Sequence, residues 1–326
     1  MPDICNKYKT HTLCDGEVSV TLLSLGAVTC DWQVPLSSGQ RVPVVLGHAD
    51  ILDYARYPGH YGTIEGRVAN RIGGGCFNLA GQRYQLSKNE GRNTLHGGLN
   101  GWSKRNWNLS SDGNRAVELR LKSVDGDQGM PGAVDVRLVV SLIGHCVTYD
   151  FEAWPDRETP INMCNHNYYA LHGGTPIWQQ QLQIASNHIT ESDASLIPTG
   201  VLKQVQGTKY DFREMRTIGT ADSQKSGIDI NYALNRDHIG PALTLRADNG
   251  LELNLCTDQP GLQVYTGHRV NAVGSALAGQ RHGPAMGIAI EAQGYPDAVN
   301  HAHFPSIIYS PDRPYRQTTR ISIQAH

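Results

Sequence analysis

Strict alternation of apolar and polar positions recurs along the chain. In AVDVRLVVSL, Val134, Val136, Leu138, Val140 and Leu142 fall on one side of an extended backbone, and in AVELRLKSV so do Val117, Leu119 and Leu121. Residues two apart share a face only in a strand, so each segment predicts a half-buried antiparallel strand. The intervening VDGDQGMPG is dense in turn formers and predicts a hairpin with an extended loop. For PALTLRADNGLELNLCT, register decides between two turns. A two-residue Asn249-Gly250 turn opposes Leu245 to Asn254 and mixes the faces, whereas a loop of Asp248, Asn249 and Gly250 opposes Leu243 to Leu255 and Leu245 to Leu253. The longer loop, with a glycine bulge, is the prediction. No segment sustains an apolar stripe at helical spacing, and no long internal repeat is visible. The expected fold is all-β, a large antiparallel β-sandwich forming a single domain over residues 1–326.

Three stretches break the apolar pattern. INMCNHNYYALHGG, from Ile161 to Gly174, reads as a strand with Asn162, Cys164, His166 and Tyr168 on one face and Ile161, Met163, Asn165 and Asn167 on the other. A core has no need of three amides and a histidine there. HGPAMGIAIEAQGYPD sets Met286, Ile288 and Ile290 against Ala285, Gly287, Ala289, Glu291 and Gln293; small residues ending in a carboxylate and an amide describe a shallow floor under a polar ligand. GLQVYTGH likewise puts Gln263 and Tyr265 on one face. For each the plain alternative is an ordinary strand whose carboxylate or tyrosine is paired in the core. His96, in GRNTLHGG, sits in a glycine-rich turn where an exposed imidazole faces a closely approaching ligand, or else a turn histidine bonds backbone.

Composition supports many short strands: 35 glycines and 16 prolines accompany 39% hydrophobic and only 18% charged residues. A formal charge of −2 provides no field for a nucleic-acid backbone or an anionic membrane. The N-terminal residues lack an apolar leader, and no stretch approaches the ~20 apolar residues of a membrane span, so a soluble cytoplasmic protein is expected. Seven scattered cysteines without a Cys-x-x-Cys pair argue against a disulfide framework or a thiolate zinc site. GRVANRIGGGCFNLAG matches no phosphate-loop pattern and predicts a corner between strands. His301-Ala302-His303 turns two imidazoles to one side, with His96, His166 and Glu291 as further candidate ligands, but the spacing matches no zinc pattern and no metal is expected.

Together these residues resemble the aldose 1-epimerases, the galactose mutarotase-like family. The similarity rests on GRVANRIGGGCFNLAGQRYQL, NTLHGGLNGWSKRNW, GMPGAVDV, NHNYYAL, GIDINYAL, GLQVYTG and IEAQGYPDAVNHAHFPS, in family order from about Arg67 onward. The resemblance implies the galactose mutarotase-like supersandwich, a monosaccharide substrate in a cleft on its concave face, and no cofactor. It further implies Glu291 as general base, His166 as general acid and His96 as their partner near the ring oxygen, with Asn70, Arg71, Asp229 and Gln263 holding hydroxyls. Departures from the family pattern fall at Glu65, where a small or apolar residue is usual, and at Tyr169, Ala170 and His268. They leave the identity of the sugar open. Two alternatives stand beside the enzyme: a sugar-binding or regulatory protein without catalysis on the same sandwich, and a mutarotase of hexose phosphates. The sequence does not define an oligomeric state.

Overall fold

The computed structural model describes residues 7–57 and 59–325. A nine-stranded antiparallel sheet runs in the order Asn108–Ser111, Ala116–Ser123, Val134–Ile143, Cys146–Pro155, Tyr315–Ala325, Leu251–Thr257, Leu243–Arg246, Gln181–Ile184 and Arg216–Thr217. Facing it is a six-stranded sheet: Tyr168–Tyr169, Ile288–Gln293, Gly261–Tyr265, Asp229–Ala233, His188–Ser192 and Pro198–Gln204. Thr10–Asp15, Val18–Leu23, Val28–Pro35 and Arg41–Pro43 form a separate four-stranded sheet. Among the described residues only Asp53–Arg56 and Ile218–Ala221 are α-helical, each a single turn.

Both predicted hairpins are present. Val117, Leu119 and Leu121 are buried across from Val140, Leu138 and Val136, and the loop between the strands spans residues 124–133. Leu243 pairs with Leu255 and Leu245 with Leu253, while Gly250 closes the turn at a φ of 87°, a left-handed value that glycine adopts without strain. The sheets enclose one core, in which Leu138, Tyr149 and Phe151 from the larger sheet join Ile230, Leu262, Val264, Ile288 and Ile290 from the smaller. Removing each such aliphatic side chain from water stabilises the fold by roughly 1.5–3 kcal/mol.

The segment from Ile161 to Gly174 departs from the prediction. It is not one strand but two short pairings: Cys164–Asn165 lies against Ile64–Glu65, and Tyr168–Tyr169 against Ile288–Ala289. The predicted division of faces survives this break. Ile161 and Met163 enter the main core, whereas Cys164 and His166 turn toward Glu291. Polar groups of the larger sheet hold the segment from below. The Met163 amide donates to the Tyr315 hydroxyl at 3.2 Å and Asn167 Nδ2 donates to the Tyr149 hydroxyl at 3.3 Å, while in the neighbouring strand the Ala292 carbonyl accepts from Gln317 Nε2 at 3.0 Å. Met286 also differs from expectation. The regular strand begins only at Ile288, so Met286 packs with Leu46, Tyr61 and Tyr168, apart from the core that takes Ile288 and Ile290.

Candidate active site

A cleft of about 570 Å³ opens over the smaller sheet, and its lining includes Asn70, Arg71, His96, His166, Asp229 and Glu291. Glu291 is the fourth residue of the strand Ile288–Gln293 and is only 2% exposed. Its Oε1 lies 3.4 Å from His166 Nε2, and its Oε2 accepts a hydrogen bond from the Cys164 thiol at 3.3 Å. Burial pushes the Glu291 carboxyl well above the ordinary carboxylate range, against the pull of that thiol. Burial also pushes the His166 imidazole down to about 4, helped by the charge on His60. The two shifts run in opposite directions, bringing the carboxyl and the imidazole toward each other in basicity, so a proton can pass between them. Shifting it between Glu291 and His166 turns an acid and a base into one another.

His96 is fixed from the backbone. The Asn70 amide donates to His96 Nδ1 at 3.1 Å, and the His96 amide donates to the Asn70 carbonyl at 3.0 Å. An amide N–H can only donate, so Nδ1 is the unprotonated nitrogen and the ring presents its proton on Nε2. Burial, joined by the charges of His60 and Arg71, keeps this imidazole well below its ordinary range, against the attraction of Glu65. The exposed ring expected from the glycine-rich turn is thus corrected: His96 is 7% exposed. Here the glycine serves close backbone packing, since a Cβ on Gly97 would lie 1.9 Å from the Gly66 carbonyl oxygen.

Arg71 makes a bidentate pair with Glu90, Nε to Oε2 at 2.7 Å and Nη2 to Oε1 at 2.8 Å, which fixes its guanidinium plane at the cleft wall. Asp229 lies opposite Tyr265 on adjacent strands, and its Oδ1 accepts a 2.7 Å hydrogen bond from Gln263 Nε2. Gln263 itself is buried and does not line the cleft; it orients Asp229. Gln293, placed by the sequence on the cleft floor, is fully buried as well.

His301 and His303 do not join the other histidines at the cleft. Their Nε2 atoms bond the Pro198 and Gly200 carbonyls at 3.1 and 2.8 Å, which pins the loop to the strand Pro198–Gln204. His96, His166 and Glu291 do offer three ligand atoms within 4.8 Å of one another, a spacing compatible with a metal ion as well as with one edge of a sugar ring.

The structure also sorts the departures. Tyr169 and Ala170 are core residues, and His268 packs beside Tyr265 with Nδ1 3.2 Å from Thr266 Oγ1. Glu65 is different, being fully buried next to the cleft histidines. Sequence reasoning missed His60 and Glu90 as cleft residues, although the unusual Glu65 was a signal for the first.

A sequence profile described as Aldose 1-epimerase matches residues 9–322. Galactose mutarotase of Sus scrofa is 33% identical over 98% of this chain and 95% of its own length. Aldose 1-epimerase of Haemophilus influenzae is 34% identical over 88% of this chain and 86% of its own. Among solved structures, a GalM/aldose epimerase homologue from C. elegans superposes with a TM-score of 0.93 at 23% identity, covering 98% of this chain and 99% of that one. Galactose 1-epimerase from Lactobacillus acidophilus gives 0.84 at 26% identity, covering 96% and 93%. With cleft, sheets and profile in agreement over nearly the whole described length, the chain belongs to the aldose 1-epimerase family.

Proposed function

We propose that Glu291, His166 and His96 interconvert the α and β anomers of a free aldose in this cleft. Family membership makes the chain a mutarotase-type isomerase. The observation that carries the assignment of residues is the 3.4 Å approach of His166 Nε2 to Glu291 Oε1 at the floor of a sugar-sized cleft. Glu291 takes the proton from the anomeric hydroxyl, and the oxygen's electrons form the C1=O1 bond. The C1–O5 bond breaks with its electrons going to O5, which takes a proton from His166. His96, whose free proton is on Nε2, donates a hydrogen bond to the ring oxygen as charge develops there. Rotation about C1–C2 and the reverse sequence close the other anomer, so the pair ends with the one proton it began with.

Arg71 and Asp229 hold ring hydroxyls without exchanging protons, and Asn70 serves from the turn that fixes His96. Gln263 acts through Asp229. The scheme uses no cofactor. Six cysteines, at 14, 30, 76, 146, 164 and 256, are free thiols, and no described helix is long and apolar enough to cross a membrane. These features support action in the cytoplasm.

The test is NMR exchange spectroscopy over glucose, galactose, xylose, arabinose, fucose, rhamnose and glucose 6-phosphate. Anomer exchange above the spontaneous rate is expected for at least one. Binding without acceleration of any sugar assigns the cleft to recognition alone, and acceleration confined to a 6-phosphate assigns a phosphorylated substrate.

A further inference from the structure

Glu65 is a carboxylate with no exposure to solvent, and such a group stays charged only where donors and a cation face it. Its Oε1 accepts from Thr63 Oγ1 and lies 2.7 Å from His60 Nδ1. Three imidazoles surround it, with ring centroids 4.7 Å apart for His60 and His96, 5.3 Å for His96 and His166, and 5.5 Å for His60 and His166. Two of the three are poorly placed to carry the balancing charge. His96 Nδ1, 4.0 Å from Glu65 Oε2, already accepts the Asn70 amide, and His166 turns its Nε2 to Glu291. His60 alone directs a ring proton at the buried carboxylate.

Among the described residues nothing hydrogen-bonds His60 Nε2, and the 30% exposed ring lines the cleft beside His96 and His166. Its backbone lies in the left-handed region at a φ of 59°, a conformation that costs a β-carbon residue of order 1–3 kcal/mol and is met where a side chain must be aimed.

We propose that His60, held by Glu65 through Nδ1, is a further substrate-binding residue: an imidazolium whose Nε2–H donates to a hydroxyl of the bound sugar. Glu65 is its positioning residue. The inference rests on the reading of the cleft as a sugar site. The charged groups around His60 are Glu65 and Glu90, which favour its cationic form, and Lys104, which opposes it, with His96 and His166 on the facing rings and Arg56 at the cleft edge. The carboxylate of Glu65 outweighs the burial that lowers His60, so its titration lies above the ordinary imidazole value. The sign follows. Below that titration His60 is charged and donates strongly; as pH rises through it the charge is lost and sugar binding weakens.

The experiment measures D-galactose affinity by calorimetry from pH 5 to 9, alongside the ring nitrogens of His60 by NMR, on the full chain. Wild type should weaken as His60 titrates above pH 6.5. Glu65→Gln should move both the NMR titration and the loss of affinity down by at least one pH unit. His60→Gln should weaken binding about tenfold or more at pH 7 and abolish this pH dependence. A neutral His60 at pH 6.5 in the wild type, or a His60→Gln variant that binds galactose with wild-type affinity and pH dependence, overturns the proposal. Because binding and NMR are read without turnover, a failure of anomer exchange leaves this test intact, and a failure here leaves Glu291 and His166 untouched. Should Glu65→Gln not fold, wild type and His60→Gln still decide it.

Discussion

In the strand Val134–Ile143 alternate residues are buried and apolar, and those between them reach toward solvent. From Ile161 to Tyr169 all nine residues are buried, four of them Asn or His. Both segments repeat with period two, yet in the first the period separates core from water and in the second it separates core from cleft. A buried polar face survives only where every group has a partner or a task. Asn162 meets this by accepting the Gly294 amide at 2.7 Å, and His166 by facing Glu291. The sheet strand is thus an element of stability, and the cleft segment is the one to which we assign chemistry.

The hardest blow to this contrast is Glu291→Gln. It keeps the side chain's volume but removes the proposed base, and turnover should fall by about 10²-fold or more with the melting temperature near that of wild type. The wild-type rate should itself be bell-shaped in pH. It rises through about 4, where the His166–Glu291 pair passes from two protons to one, and falls only above the raised Glu291 titration, where the last proton leaves. A flat profile across that window separates the pair from the rate.

Leu138→Ala, in the nine-stranded sheet, should do the reverse. It leaves a cavity where a fully buried leucine stood, and urea unfolding should show a loss of about 2–5 kcal/mol, while kcat per folded molecule stays unchanged. A comparable loss of kcat would join the two regions into one functional unit. A milder separation is expected for Asp229→Ala, which removes the proposed hydroxyl-binding carboxylate and leaves Gln263 Nε2 without its acceptor. KM should rise about tenfold with kcat little changed, and an unaltered KM for every sugar makes Asp229 structural. Smallest of all is the effect of EDTA, for which no change in rate is expected. Loss of activity restored by zinc places an ion among His96, His166 and Glu291.

Strands and their registers were legible because alternation and turn length depend on near neighbours, as the pairing of Leu245 with Leu253 illustrates. Glu291 and His166 were legible as polar intrusions in apolar stretches. The partnership of His60 with Glu65 was not, since it needs a left-handed residue to swing one side chain back over five positions. Nor was the seclusion of Gln263 and Gln293. Alternation assigns a residue to a face, but here the far end of that face is roofed by neighbouring chain instead of opening to the cleft.

The reciprocal bonds between Asn70 and His96 have a practical corollary for anyone wishing to redesign the enzyme. A backbone donor fixes that imidazole's tautomer and helps to aim it, and this bond does not depend on side chains that leave the ring untouched. Leu95, Leu196 and Val270 also border the cleft without hydrogen-bonding the reacting groups. A combinatorial library at those three positions can therefore explore new sugars while the reaction centre stays in place.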